Sequence, residues 1–394
     1  MNAGNRNPDS TQRHEDTKES RRNPVSPQRH DGTTESAVNS GERRAAGGKR
    51  VRAVGLLSGG LDSILACRMM MEQGIEVIAV NFTSPFCTCT RKGCRHQASK
   101  VADELGIELK LLPTGQDYIE MVKHPKHGRG SHMNPCIDCR IFTFTRARKF
   151  ADEIGADFVF SGEVLGERPM SQYLKAMLLI ERESGLSGKI LRPLSASLLE
   201  PTIAELTGLV DRSKLKSIQG RSRQPQIEMT KEYGMADYPC PAGGCLLTDA
   251  QFAARLIDAF EHGEDTVAEM QFLKVGRHFR LKSGAKVIVG RNEAENKVLE
   301  SLVGPADRVL TALETEGPTV VLRRLKGHDD IELAARLCVR YCDAHSQEQV
   351  KTECLGEVIT VAAMQEPELS ELRVEAKKRL MNHGLTQMNT DSGK

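Results

Sequence analysis

The stretch "LLSGGLDSILACRMM", Leu56 to Met70, decides how the rest of the chain is read. An apolar, β-branched run from Val51 to Leu57 leads into it and Ile64 to Met71 is helical in composition, so Ser58-Gly59-Gly60-Leu61-Asp62-Ser63 reads as a strand-to-helix loop. Such a loop aims backbone N–H groups and a helix N-terminus at whatever lies above it. Phosphate is the usual occupant, because the donors and the helix dipole both favour an anion. The Walker-type loop ends in Gly-Lys-Ser/Thr, whereas Asp62-Ser63 follows the glycines here. The stretch is a phosphate loop of a different kind.

Outward from the loop the pattern alternates. A strand to Leu57 and a helix from about Asp62 to Gln73 are followed by the strand "IEVIAVNF" from Ile75, a helix from about Arg95 to Leu105 and the strand "IELKLL" from Ile107. A helix from about Arg140 to Ile154 then leads to the strand "DFVFSG", Asp157 to Gly162. Strands alternating with helices imply an α/β fold with a parallel sheet, and such sheets bind ligands at the carboxyl ends of their strands. The phosphate loop, Asn81-Phe82 and Ser161-Gly162-Glu163 all fall at such ends, which outlines a nucleotide site. Composition changes after Asp249. A helix at about Ala250 to His262, the basic segment "FLKVGRHFRLKSGAKVIVGR" and two helix-like stretches around strand-like "GPTVVLRRL" describe a smaller α+β domain. The expected organisation is a tail at 1–48, an α/β domain at 49–249, an α+β domain at 250–345, and a C-terminal strand/helix with a polar tail at 346–394.

The 394 residues carry a formal charge of only +2, so any nucleic-acid footprint is local. The first 48 residues contain no aromatic side chain, and "RNPDSTQRHEDTKES" from Arg6 recurs as "RNPVSPQRHDGTTES" from Arg22, a duplication too polar to build a core. Seven acidic residues among the first 50 argue against a mitochondrial transit peptide, and no apolar h-region or transmembrane run is present. The expectation is a cytoplasmic protein without a membrane partner. With 11 cysteines and no export signal, the thiols read as metal, sulfur or redox groups rather than disulfides. The absence of Trp and the presence of only five Tyr remove base stacking as the obvious mode of nucleic-acid contact.

Three cysteine clusters stand out on the loops of the first domain. Cys136 and Cys139 follow Asn134-Pro135, and a three-residue step lets two sulfurs converge on one metal, with two buried thiols or a redox pair as the alternative. In "YPCPAGGCLLTD", Gly243-Gly244 lets Cys245 approach a bulky group, while Cys240 lies between prolines and is its rival as a ligand. Cys87, Cys89, Cys94 and His96 fall within ten residues and suit a structural zinc, a sulfur-relay role, or unliganded thiols. Cys67, Cys338, Cys342 and Cys354 sit in helical apolar settings and read as core. Lys274 to Arg291 carries six Lys/Arg and no acid, and reads as a hairpin whose Arg277, Arg280, Lys282, Lys286 and Arg291 form a stripe for backbone phosphates.

Strand, Ser-Gly-Gly-x-Asp-Ser, helix resembles the PP-loop ATP pyrophosphatases, and His132 to Glu163 resembles the matching segment of the members that place sulfur in tRNA uridines. The segment around "VIVGRNEAEN" is similar to the RNA-binding portion of the NFACT family. The first resemblance implies an adenine nucleotide α-hydrolase-like fold in which ATP is split into AMP and pyrophosphate. Ser58, Gly59, Gly60 and Ser63 would then cradle pyrophosphate, Asp62 would hold Mg²⁺, and Asn81, Phe82, Gly162 and Glu163 would complete the ATP site. It also implies a functional Cys139, and Cys136, Cys139 and Cys245 as three ligands of a [4Fe-4S] cluster with one iron open for sulfide. The implied reaction is ATP-dependent tRNA uridine thiolation: O2 or O4 is adenylated and sulfur replaces it, with tRNA and a sulfur donor, either sulfide or a carrier protein, as partners. A cluster-free rival uses Cys139 or Cys245 as a persulfide nucleophile. Two readings from other classes are a PP-loop amidase-ligase or small-molecule synthetase, and a non-enzymatic RNA-binding metalloprotein.

Overall fold

The computed structural model describes residues 42–44, 48–87, 94–235 and 245–376, the side chains of 94–96 excepted. Most of the expected tail, Cys89 and Cys240, and the side chains of Cys94 and His96, lie outside the described residues. The first sheet is built from β1 (Arg52–Leu56), β2 (Glu76–Thr83), β3 (Glu108–Pro113), β4 (Phe158–Ser161) and β5 (Ile190–Leu191). All its pairings are parallel, in the order β3-β2-β1-β4-β5. The intervening helices are α1 (Leu61–Glu72), α2 (Cys94–Leu105), α3 (Gln116–Lys123), α4 (Cys136–Ile154) and α5 (Leu174–Ser184). Two short helices follow, α6 (Ile203–Leu206) and α7 (Gln224–Glu232).

The strands are apolar on both faces because helices cover both. Ala53, Val77, Phe158 and Phe160 point into one cluster with Leu65, Met69 and Met70 of α1. Their neighbours Val54, Val80 and Val159 point into the opposite cluster with Phe144 and Ala147 of α4 and Ile180 of α5. That period of two across continuous apolar runs makes a buried parallel sheet legible. The order of strands reverses between β1 and β4, and the crevice above that reversal is where open parallel sheets take their ligands.

Past Asp249 the chain runs through α8 (Ala250–Glu261) and α9 (Val267–Phe272) into a second sheet. Its strands are β6 (Arg277–Arg280), β7 (Lys286–Val289), β8 (Arg308–Ala312), β9 (Val320–Arg323), β10 (Val350–Cys354) and β11 (Glu357–Val361). All pairings are antiparallel, in the order β11-β10-β8-β9-β7-β6, so this sheet runs through the expected boundary at 345 without a break. Helix α10 (Glu293–Leu302) covers one face and α11 (His328–Arg340) the other, and α12 (Glu368–Leu372) joins the α11 side. β8 was not legible because its five residues bury only Leu310.

Helix α8 ties the halves together. The Asp249 carboxylate accepts the Phe252 N–H at 2.7 Å and caps the helix. Phe252, Ala253, Leu256 and Ala259 then form one apolar stripe packed on Tyr118, Ile119 and Val122 of α3, with Phe86 and Met133. Burying Phe252 and Leu256 contributes about 1.5–3 kcal/mol each.

Candidate functional site

The phosphate loop folds around its own hydroxyls. Gly59 has φ +80°, where a side chain is strained, and the Ser63 hydroxyl donates to the Gly60 carbonyl at 2.7 Å. The Ser58 and Ser63 hydroxyls lie 3.2 Å apart. No side chain caps α1 at Gly60, so the helix presents its first N–H groups to the crevice. Asn81, at the end of β2, donates to the Leu57 carbonyl at 2.7 Å, and its side-chain oxygen has no partner among the described residues. Its neighbour Phe82 packs into the cluster on the α4 side of the sheet, so its ring supports the strand end from below.

The end of β4 touches the loop. At Gly162 a Cβ would lie 2.4 Å from the backbone carbon and oxygen of Asp62, so only glycine lets the strand end approach so closely. The next residue, Glu163, is buried and faces two guanidinium groups. Arg192 donates to its Oε2 at 3.1 Å, and Arg140 Nε lies 3.2 Å from its Oε1 as an ion pair without hydrogen-bond alignment. Arg192 in turn pairs with Glu181. Glu163, expected at the ATP site, is thus the acid that holds Arg140 and Arg192.

Arg140 stands beside Cys139, and here the structure corrects the sequence reading. Helix α4 begins at Cys136, not Arg140, so Cys136 and Cys139 lie in its first turn and not on a loop. Proline stops a strand but suits a helix start, and Pro135 is the N-terminal cap residue. The Asp138 carboxylate in the same turn accepts the N–H groups of Lys126 and His127 at 3.1 and 3.0 Å, fixing the preceding loop. His127 also reaches Glu183 at 3.0 Å.

Three thiols converge there. Asn134 donates to Cys136 Sγ at 2.9 Å, and the Tyr118 hydroxyl lies 3.1 Å from Cys139 Sγ. Burial pushes the Cys139 thiol up, and the Tyr118 phenol is raised well above its usual value by burial and by Cys139. Cys245 is exposed as a residue, but its sulfur faces the protein and burial pushes the thiol up to about 11, with Cys139 and Cys136 adding to the rise. Its position is set by backbone bonds on the following turn, Met133 N–H to the Leu247 carbonyl at 3.0 Å and Leu246 N–H to the Phe86 carbonyl at 3.4 Å. Among the described residues, no three His, Cys, Asp or Glu side chains come close enough to hold an ion as they stand. The donor set nevertheless suits an iron–sulfur group: three thiols that sense one another, two of them already hydrogen-bonded at sulfur.

On the other side of the loop, Asp62 is half-buried and burial raises its carboxyl above the usual range. Arg223 Nη2 lies 3.8 Å from its Oδ2, while Oδ1 has no partner. Sequence reading missed Arg223, Gln226, Arg192 and Tyr118. A sequence signal existed only for Arg223, inside the acid-free basic run Arg212 to Arg223.

The remaining expectations divide. Cys67, Cys338, Cys342 and Cys354 are all buried in the core, although Cys354 lies on β10 and not on a helix. Cys87 is half-buried and disulfide-bonded, not the free thiol expected, and the side chains of Cys89, Cys94 and His96 lie outside the described ones. The basic stripe is corrected in part. Arg280 and Lys286 are paired across the hairpin and share a face, which is turned toward acids of α8 and the turn after it. Lys286 is 2% exposed, with its ammonium 2.5 Å from Asp258, and Arg280 bonds Asp258 and Glu264, both at 2.7 Å. Arg291 is chelated by Glu295 one helical turn on, and Arg277 stacks on Tyr341 at 4.5 Å. Only Lys282, with its side chain 87% exposed and 4.0 Å from Glu371, stands in solvent as expected.

With that geometry in place, known proteins give the class. Residues 48–206 match the family model described as thiamine biosynthesis protein (ThiI), and residues 276–373 match that of the NFACT protein RNA binding domain. The first half is thus similar to ThiI-type PP-loop domains and the second to NFACT RNA-binding domains. The chain is 32% identical over 114 residues to the tRNA-specific 2-thiouridylase MnmA of Syntrophotalea carbinolica, covering 27% of this chain and 32% of that protein. It is 32% identical over 148 residues to the probable tRNA sulfurtransferase of Thermococcus kodakarensis, covering 37% of this chain and 38% of that protein. The chain spans about a third of the length of such curated relatives. A solved structure of the U34-tRNA thiolase NcsA from Methanococcus maripaludis with its [4Fe-4S] cluster aligns at 16% identity and a TM-score of 0.30, over 59% of this chain and 72% of that one. Among the described residues no helix is long and apolar enough to cross a membrane.

Proposed function

We propose that this chain is an ATP-dependent tRNA uridine thiolation enzyme, with the phosphate loop as its adenylating centre and Cys136, Cys139 and Cys245 as its sulfur centre. One observation carries the reading. Two consecutive residues at the end of β4 join the centres: Gly162 lies against the backbone of Asp62, and Glu163 holds Arg140 beside Cys139. The two centres are thereby linked through consecutive residues at one strand end.

In this reading the loop N–H groups and the α1 N-terminus bind the departing pyrophosphate, and Asp62 holds the magnesium that offsets its charge. Adenylation converts a uracil oxygen, otherwise a very poor leaving group, into AMP. Cys136, Cys139 and Cys245 would hold the iron–sulfur cluster, which supplies a site for the incoming sulfur. The Asn134 and Tyr118 donors orient the two α4 sulfurs, and Arg140 supplies positive charge beside them. Exposed cations of the C-terminal sheet, Lys282 first, contact tRNA phosphate. A sulfur donor, sulfide or a carrier protein, completes the partners.

A persulfide on Cys139 or Cys245 is a second reading, favoured by the absence among the described residues of three ligands already closed around an ion. Anaerobic purification with iron and labile-sulfide assays separates the two: iron that disappears together with thiolation in Cys245→Ala supports the cluster, and thiolation that survives complete iron removal supports the persulfide. Mass spectrometry of tRNA nucleosides from a deletion strain tests the function itself. An unchanged set of thiolated uridines would refute it.

A further inference from the structure

Helix α7 stands outside the alternating strand-helix units, yet it packs on α1 through Met229 and Ile227 and brings its first turn to the phosphate loop. Gln226 in that turn is 0% exposed, and neither Oε1 nor Nε2 has a hydrogen-bond partner among the described residues. Asp62 Oδ1 and Arg223 Nε are in the same condition: the Gln226 amide lies close enough to the Asp62 carboxylate to favour its charged form, but not in hydrogen-bond alignment with it. Native interiors leave few polar atoms unpaired, and a group of four around one carboxylate marks a place where something else supplies the partners.

The four atoms specify that partner. Two are oxygens, Asp62 Oδ1 and Gln226 Oε1, which require a cation or a donor. Two are N–H groups, Gln226 Nε2 and Arg223 Nε, which require an acceptor. A nucleoside hydroxyl offers one donor and one acceptor but no anion for a guanidinium. Phosphate carrying a divalent cation offers both kinds at once, and magnesium binds through one or two carboxylates plus phosphate oxygens, without a protein cage. Arg223 meanwhile holds Asp62 in a long pair of 3.8 Å, so arginine and cation compete for one carboxylate.

We propose that Arg223 and Gln226 complete the phosphate site from α7, Arg223 exchanging Asp62 for a pyrophosphate oxygen as the cation-bound phosphates enter, and Gln226 offering its oxygen to the cation's shell and its N–H to the phosphate. This rests on reading "SGGLDS" as a pyrophosphate-releasing loop and names two further residues that contact the leaving group. Partner exchange carries a signature that a structural role lacks: the two ligands respond with opposite sign when Arg223 is removed.

The test uses the full chain without tRNA, titrated with Mn²⁺ alone by electron spin resonance and with magnesium pyrophosphate by calorimetry. In Arg223→Ala, Mn²⁺ is expected to bind about threefold tighter, because a competing charge is gone, and magnesium pyrophosphate about tenfold weaker. Arg223→Lys, which keeps charge without the fork, falls between wild type and Arg223→Ala. Gln226→Leu removes the unpaired amide at similar volume, so its melting temperature is expected at or above wild type while magnesium pyrophosphate weakens about fivefold. Parallel changes in both ligands, or affinities within twofold of wild type, overturn the exchange; a lowered melting temperature with unchanged affinity makes Gln226 a packing residue and overturns its part. Because no tRNA is present, these outcomes are independent of the nucleoside measurement: unchanged tRNA alongside opposite-sign shifts removes the thiolation reading and keeps the phosphate contacts.

Discussion

Two clusters of buried polar groups, one beside each sheet, are satisfied in opposite ways. Around the phosphate loop, Asp62, Asn81, Arg223 and Gln226 each keep polar atoms without partners, beneath an uncapped helix end. In the C-terminal half, charges that are as deeply buried answer one another: Lys286 and Arg280 meet Asp258 and Glu264, and Arg323 meets Asp307 at 3.1 Å and Glu269. The first group is the one proposed above to take its partners from a ligand; the second is satisfied by its own ion pairs, although His278 Nδ1, Asn296 Oδ1, Arg255 Nε and Arg340 Nε of the same half have no partner among the described residues. What distinguishes the phosphate loop is the concentration of unpaired atoms around one carboxylate, whereas the Asp258–Glu264 cluster, like Glu163–Arg192–Glu181 in the first half, is closed by its own arginines.

The contrast breaks most visibly at Asp62. Asp62→Ala is expected to lower AMP and pyrophosphate release by about a thousandfold while melting temperature and RNA affinity stay unchanged; normal AMP formation, measured by nucleotide chromatography, would erase the distinction. Next comes Lys286→Ala, which removes one of the two buried cations and leaves Asp258 and Glu264 to Arg280 alone. Its expected cost is about 1.5–3 kcal/mol of stability by denaturant titration. Lys282→Ala, at the exposed end of the same hairpin, should leave stability alone and reduce the salt slope of RNA binding by about one.

Acid sharpens the contrast on a smaller scale. Burial opposes ionisation of Asp258, but hydrogen bonds and charges from Arg280 and Lys286 prevail and hold its carboxyl below the usual range. The folded chain thus binds that proton more weakly than the unfolded one. The resulting stability is complete above the unfolded carboxylate value, about 3.9, and is lost as pH falls through the lower folded value. Asp258→Asn should flatten the acid limb of a melting-temperature profile, and an unaltered limb would remove Asp258 from the network. The smallest effect belongs to Tyr118→Phe, which deletes one hydrogen bond to Cys139 and is expected to cost about 1 kcal/mol; because that hydrogen bond works against the upward shift of the thiol, its loss is read as slower alkylation of Cys139 by iodoacetamide with the fold intact.

Much of the first sheet was legible because its strands are unbroken apolar runs joined by amphipathic helices, and "SGGLDS" marks its own position. The start of α4 was not, since Asn134-Pro135 signals a loop and a helix start alike, and only tertiary packing selects between them. The basic hairpin misled for a different reason. Its run of 18 residues contains no acid, but its counter-charges arrive from Asp258 and Glu264, which lie before that run begins. Arg223 and Gln226 were hidden by distance, more than 160 residues beyond Asp62 on a helix whose polar residues suggest only a solvated surface. Pairwise charge patterns along a chain describe neighbours in sequence, and both errors concern neighbours in space.

Cys245 sits immediately ahead of α8, and its turn is held by Met133 and Phe86 while α8 docks on α3. During synthesis Cys136 and Cys139 leave the ribosome more than a hundred residues before α8 does. A nascent chain therefore carries a finished phosphate loop and two thiols, but no third, until the helix leading to the C-terminal sheet has emerged and packed. Under the function proposed above, the sulfur centre would be withheld until the part of the protein that resembles an RNA-binding domain is being made, and a product truncated near residue 240 would keep the phosphate loop and lack the third thiol.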